Sequence, residues 1–459
     1  MAALLEAAAR AHAGRVALEW DGGVLTYAEL DARACALSRE LDERGVRPGD
    51  RVALAIPNRW QFVVAVLGAL KVGATVAPLD PLLTAEERSA IVADLAPRLV
   101  LADVAVEEAT WKTSEPRGPA LVLYTSGSTG RPKGALLSHS AVAFALRSWA
   151  EPVMALTPDD VVLATLPLSH SYGLNGALLA PLLAGATVRL VERFTADGVA
   201  DLLARGGVTV FPGVATMFRR LLDLQTFRGG TTLRLALSGA APCPWEIARE
   251  WRLRTGVRIL RGYGMTELFR PISFLAADTQ DRPDAIGRAV PGVELRIVDD
   301  AGDAVVAGEV GELLVRTPAA MDGYLNAAED TDSVLADGWF HTGDLASVTV
   351  DGWVRITGRK RERILRGGYS VFPPEVESVL LGHPEVAEAA VVGLPHPELG
   401  EEIAAFVALR PGSRTSAAEL VAYCRDRLAV FKCPRRVTLV GALPRSATGK
   451  ILKGELTRG

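Results

Sequence analysis

The segment Tyr124–Gly134, YTSGSTGRPKG, gathers glycines, hydroxyls and one lysine into a single short loop. Glycines let backbone amides curl around phosphate oxygens, hydroxyls donate to them, and a cation offsets their charge. The loop is not of the Walker A type, because Lys133 follows proline and precedes glycine rather than Ser or Thr. Strings of Gly, Ser and Thr also serve as flexible linkers, but this one follows an apolar, strand-like run and ends in Pro-Lys-Gly. GYGMTE (Gly262–Glu267) joins a ring, close-approach glycines and a carboxylate. Tyr263 suits stacking on a nucleobase, and Glu267 is a hard oxygen ligand suited to Mg²⁺. A buried Tyr beside a helix-capping Thr is the plainer alternative. In HTGDLA, Asp344 follows a Gly turn, where a carboxylate could take both ribose hydroxyls; an Asp serving the turn itself is the simpler reading. PRSATGK presents Lys450 on a loop, where a lysine is ordinarily just solvated.

These loops need elements to hold them. Leu121–Tyr124, Val161–Leu166, Val208–Phe211, Leu233–Leu237 and Val257–Leu260 are short apolar runs, each ending in a loop of small or polar residues. Helix-like segments, Ala141–Trp149, Ala196–Arg205 and Pro244–Arg254, lie between them. Alternation of this kind predicts α/β architecture with a largely parallel sheet, whose ligands bind where strand carboxyl ends open into loops. The five loops are expected at that one edge. After Val290 the pattern becomes alternating, with Asp-Ala-Gly and Gly turns, which predicts an antiparallel, β-barrel-like region. From about Gly358 a basic loop, a helix Pro373–Leu381, strands around Ala389–Gly393 and Ile403–Leu409 and a helix Ser416–Leu428 predict a small α+β domain.

The chain has 459 residues, enough for two or three domains, and a net charge of -4 that argues against a nucleic-acid partner. Cys35, Cys243, Cys424 and Cys433 include no C-x-x-C pair, which fits a reducing, cytoplasmic setting rather than zinc or disulfides. The N-terminal MAALLEAAARAHAGR reads as a first amphipathic helix rather than a secretory signal, and no apolar run is long enough to predict a membrane span.

YTSGSTGRPKG, LPLSHSYG, GYGMTE, WFHTGDLA, ITGRKRE and PRSATGK, in that order, resemble the adenylate-forming superfamily, in its acyl-CoA synthetase and aryl-CoA ligase branch. The resemblance runs from LTYAEL through PGDRVAL and GATVAPLDP to the end of the chain. It implies a large N-terminal adenylation domain (1–357), a hinge (358–361) and a small mobile lid domain (362–459). By the same resemblance, Thr125, Ser126, Gly127, Ser128, Thr129, Gly130 and Lys133 would bind the ATP phosphates. Gly239, Ala240, Ala241, Gly262, Tyr263 and Gly264 would line the adenine site. Thr266 would contact the α-phosphate, Glu267 with Thr129 would hold Mg²⁺, and Asp344 and Arg359 would bind ribose. Lys450 would bridge the substrate carboxylate and the α-phosphate, and His170 resembles a gating aromatic beside that carboxylate. The implied reaction is activation of a carboxylic acid to an acyl-adenylate with loss of pyrophosphate, then transfer to CoA. A carrier-protein thiol, an amine or a small inorganic nucleophile is the alternative acceptor. The hinge position, usually Asp or Lys, is Arg361 here. Its run Arg359–Arg366 reads as a solvated face or as a partner for CoA phosphates, and Gly367, Gly368 and LAVFKCPRR resemble the CoA-ligase branch.

Ser171 stands where amino-acid-activating relatives place an Asp, which counts against an amino acid. Gly262 stands where malonate-type ligases place an Arg, which favours an uncharged acyl group and leaves room for a flat ring. Phe211, Met265 and Phe269 are candidates for the apolar lining. Arg270 is expected either to meet a polar substituent of the substrate or to form a surface ion pair.

Overall fold

A computed structural model describes residues 1–125, 132–366, 369–445 and 451–457. By compactness the chain divides into two units, Met1–Leu295 with Val315–Phe340, and Arg296–Leu314 with His341–Gly459.

The first unit holds two parallel-rich sheets. In the seven-stranded sheet, Ile259–Leu260, Leu235–Ser238, Val210–Gly213, Val161–Ala164, Thr187–Leu190 and Val16–Trp20 run parallel in that order, with Gly23–Thr26 antiparallel at the edge. In the six-stranded sheet, Leu121–Thr125, Thr75–Pro78, Arg51–Leu54 and Leu99–Leu101 run parallel, while Lys133–Leu137 and Gly323–Tyr324 add antiparallel strands. The five expected strands are therefore present but split. Four share the first sheet, and Leu121–Thr125 belongs to the second. YTSGSTGRPKG links two antiparallel strands rather than a strand and a helix: Thr125 is register partner of Lys133.

Local chemistry sets the element ends. The first helix runs Ala2–Ala11. Trp245–Thr255 starts one residue later than predicted, with Pro244 at its N-cap, and stops at Gly256 in the left-handed conformation (φ 74°). Ala417–Arg425 begins after Ser416, whose hydroxyl accepts the Glu419 N–H in a capping box. His139–Ser148 runs on into a π turn, Trp149–Val153, containing Pro152, which has no N–H to give. Phe211, Phe218, Phe227 and Trp251 build the aromatic core under the larger sheet, with Phe218 and Trp251 rings edge to face at 5.0 Å.

Antiparallel pairing starts earlier than the predicted change after Val290: Gly262–Met265, Phe269–Ser273 and Arg288–Ala289 already form one small antiparallel sheet, and beyond Val290 Trp339–Val348 pairs with Val354–Arg359 as expected. In the second unit, Val386–His396 and Gly400–Leu409 make a long hairpin flanked by Ile364–Arg366 and Arg436–Val440. The helices Pro373–Leu381 and Ala417–Arg425 supply Val376, Leu380, Leu420 and Cys424 to its core. All four cysteines are free thiols. Among the described residues no helix is long and apolar enough to cross a membrane.

Candidate active site

The two sheets of the first unit meet at side chains that leave their strand ends. Asp80, just past Thr75–Pro78 of the six-stranded sheet, lies 2.9 Å (Oδ2) from Nε2 of His170, in the loop after Val161–Ala164 of the seven-stranded sheet. That hydrogen bond, helped by the Leu82 N–H, holds the Asp80 carboxyl below its ordinary range. The expected gating residue is thus tethered by a carboxylate that the sequence reading quoted within GATVAPLDP but gave no role.

A second tether joins the hairpin tip at Glu267 to the six-stranded sheet. Glu267 is buried, and its Oε1 accepts the Tyr324 hydroxyl at 2.7 Å. Its backbone carbonyl accepts the Met321 N–H. Burial first, and then the neighbouring carboxylate, hold the Tyr324 phenol protonated well above its usual range. Lys133 lies over the same Tyr324 ring, Nζ 5.4 Å from its centroid, and pairs with Asp330 at 2.6 Å. So the proposed phosphate cation and the proposed metal carboxylate flank one phenol. Tyr324 went unmarked in sequence because nothing local to MDGYLN points to Glu267, 57 residues away.

Among the described residues no group of three or more His, Cys, Asp and Glu converges as a metal site. A lone buried carboxylate fits Mg²⁺, which commonly takes one or two carboxylates and completes its shell with substrate phosphates and water. Thr125 closes its strand beside Lys133. Ser126, Gly127, Ser128, Thr129 and Gly130 lie outside the described residues, as does Lys450.

Gly239, Ala240 and Ala241 follow the strand Leu235–Ser238, and Ala240 takes a left-handed φ of 63°. Gly262–Met265 runs antiparallel to Phe269–Ser273, with Thr266 and Glu267 at the turn. Only glycine fits at 264, where a Cβ would fall 1.9 Å from the Phe269 carbonyl oxygen. Three pocket expectations change here. Gly262 does not open space for a substrate ring, because a Cβ there would lie 2.4 Å from Cζ of Arg270: the guanidinium already fills that volume. Arg270 is no surface ion pair; it is 5% exposed and donates to Ser273 Oγ (2.9 Å), the Ser238 carbonyl (3.0 Å) and the Leu260 carbonyl (3.2 Å). Phe211 is fully buried in the aromatic core against Phe218, so its ring supports the sheet instead of lining a cleft. Phe269 is buried with a left-handed φ of 55°, and Met265 is half-buried.

In the second unit Asp344 and Arg359 are cross-strand partners, and Arg359 Nε lies 3.0 Å from Asp344 Oδ1. The Asp344 N–H donates to Thr342 Oγ1 at 3.0 Å inside the continuous strand Trp339–Val348, where Gly343 takes a left-handed φ of 66° without the turn expected there. The basic run is largely neutralised rather than solvated. Arg359 pairs with Asp344, Lys360 with Glu312 and Asp300, Arg363 with Asp300 and Arg366 with Glu402. Arg361 lies in the turn Lys360–Glu362 and is the one cation of the run with no such pair among the described residues.

A lysine, a buried carboxylate and glycine-walled loops at the strand ends suit a nucleotide-binding α/β enzyme. The AMP-binding enzyme family matches residues 5–115 and 107–325, and the AMP-binding enzyme C-terminal domain matches 375–450. Feruloyl-CoA synthase of an Amycolatopsis species is 36% identical, covering 96% of this chain and 95% of its own length. ATP-bound MatB from Rhodopseudomonas palustris superposes with a TM-score of 0.92 at 33% identity, over 100% of this chain and 98% of that one. The o-succinylbenzoate CoA synthetase of Bacillus subtilis, with its acyl-adenylate intermediate, gives 0.90 at 30% identity over 99% and 97%. The chain belongs to the AMP-binding enzyme family. It is an AMP-forming acid–thiol ligase of the acyl-CoA synthetase type, which activates a carboxylic acid as its acyl-adenylate.

Proposed function

We propose that this ligase joins CoA to an acid with an uncharged, ring-bearing acyl group, using Lys133 and Glu267 of the first unit and Asp344, Arg359 and Lys450 of the second. The observation that supports the reading is that Lys133 and Glu267 both contact Tyr324, one over its ring and the other at its hydroxyl. Lys133, with the hydroxyls of Thr125, Ser126, Ser128 and Thr129, holds the β- and γ-phosphates, exchanging its present partner Asp330 for them. Glu267 and Thr129 hold Mg²⁺, which when bound neutralises phosphate charge. Gly239, Ala240, Ala241 and Tyr263 receive adenine, Thr266 meets the α-phosphate, and Asp344 and Arg359 take the ribose hydroxyls.

The substrate carboxylate then attacks the α-phosphorus in line, its oxygen forming the new P–O bond as pyrophosphate leaves. Two anions must meet, so the reaction needs a cation where charge gathers, the role assigned to Lys450, while His170, held by Asp80, borders the incoming carboxylate. In the second half-reaction the CoA thiolate attacks the acyl carbonyl and AMP departs. Arg361 is the hinge residue between the adenylation domain (1–357) and the lid domain (362–459). Ser171 in place of an Asp supports an acid without an α-amine, and the feruloyl-CoA relative supports a ring. The test is pyrophosphate release across a panel of aryl, alkyl, dicarboxylic and amino acids, with and without CoA. Aryl acids should lead the panel, and thioester should form only with CoA. Preference for dicarboxylic or amino acids, or release without thioester, would reject the reading.

A further inference from the structure

We propose that Arg270 is a positioning residue, a brace that holds the Gly239–Ala241 loop and the Gly262–Met265 strand at the spacing adenine requires. The inference rests on the reading that these two segments receive adenine.

Its guanidinium reaches three elements at once. Nη1 donates to the carbonyl of Ser238, the residue just before Gly239. Nη2 donates to the carbonyl of Leu260, two residues before Gly262. Nε donates to Ser273 Oγ on the returning strand of the hairpin. Tyr172 extends the arrangement by donating its hydroxyl to the Leu237 carbonyl at 3.0 Å, and the Trp149 ring lies 5.1 Å beneath the guanidinium. Both glycines face this cation. A Cβ at 239 would stand 3.1 Å from Arg270 Nη1 and 3.0 Å from Tyr172, and one at 262 would overlap the guanidinium. The sequence thus trades two side chains for one fork, and glycine at 262 is required by Arg270 rather than by a ligand.

No carboxylate of the described residues pairs with this buried cation; its partners are neutral oxygens and an aromatic face. An unpaired buried charge is costly unless its donors are satisfied. Burial lowers the guanidinium to about 10, still above neutrality, so all its N–H donors persist at working pH. A planar fork meets three acceptors on separate strands in a way that a lysine's single ammonium does not.

The experiment measures MgATP affinity of the full chain by calorimetry, without acid, beside the ranking of an acid panel. Arg270→Met should weaken MgATP by ~10-fold or more while leaving the ranking in place, and Arg270→Lys, which keeps the charge and with it the fold, should not restore affinity. Gly262→Ala should weaken MgATP in the wild-type background yet add nothing to Arg270→Ala, a non-additivity expected only when one side chain collides with the other. Wild-type affinity in Arg270→Met, full rescue by Lys, a reordered acid panel, or simple additivity of the Gly262 and Arg270 effects would each overturn the brace. Tyr263→Ala separates the two levels. If it leaves MgATP affinity unchanged, the adenine reading fails and the brace falls with it. If it weakens affinity while Arg270→Met does not, the brace alone fails.

Discussion

Between Lys133 and Glu267 stands a phenol ring that contacts both, and its hydrogen bond to Glu267 sets how that carboxylate, proposed to hold Mg²⁺, is presented. Hydrogen-bonded partners of a metal ligand set its direction, and their loss typically costs on the order of tenfold in metal affinity. Tyr324→Phe keeps the ring under Lys133 but removes the bond to Glu267. Its Mg²⁺ requirement in acid-dependent pyrophosphate release should rise ~10-fold, with thermal stability changed by only about 1 kcal/mol; an unchanged Mg²⁺ curve would remove Tyr324 from the metal site. Asp80 acts on His170 in a parallel way. Asp80→Ala should raise KM for the acid by ~10-fold while KM for ATP moves less than about twofold. The sign of its pH dependence follows from the depressed carboxyl. Its stabilisation is complete above the ordinary carboxylate value and is lost as pH falls through the lower folded one. The stability difference between wild type and Asp80→Ala, followed by thermal melts, should therefore shrink as pH falls below about 4.

At the scale of elements, Phe211 decides between two uses of one strand. Strand Val210–Gly213 is buried along its whole length, and the Phe211 ring meets Phe218 at 5.3 Å and Trp251 at 6.3 Å. Truncating a buried aromatic costs about 3–5 kcal/mol, so Trp251→Ala should lower the melting temperature steeply. Phe211→Leu should lower it less and leave the acid ranking unchanged; a reordered panel would return Phe211 to the substrate pocket. The helix ends were predictable to within a residue or two wherever a cap was written in the sequence, as at Ser416 or Gly256. They drifted where no cap was written, as at the predicted end Leu428, three residues past the observed end at Arg425, because no glycine marks that terminus.

For the whole molecule, the test of the division of labour is Lys450, which follows the described strands of the second unit. Lys450→Ala should slow adenylation by ~10²-fold or more, the scale expected for removing one charge stabiliser from a transition state. Thioester formation from synthetic acyl-AMP and CoA should stay within a few fold. An equal loss in both half-reactions would deny Lys450 its assignment to the first. Arg359, Lys360, Arg363 and Arg366 are ion-paired, and Arg361 alone of that run has no ion pair among the described residues, in keeping with its proposed place at the hinge.

Sequence alone determined the class of chemistry, because six short motifs, each ambiguous by itself, occur in the order that resembles the adenylate-forming superfamily. It also determined the α/β pattern, since apolar runs of strand length alternate with helical periodicity and end in small-residue loops. Tertiary structure decided which residues serve the site from a distance. Asp80 reaches His170 across 90 positions and Tyr324 reaches Glu267 across 57, and no local spacing encodes either meeting. It also decided that the five strands fall in two sheets, since apolar runs do not say which neighbour they pair with. Gly262 and Arg270 carry the same lesson. Read in sequence, a glycine is empty space and an arginine eight residues on is a surface charge; folded, the hairpin brings them together and the one fills the other.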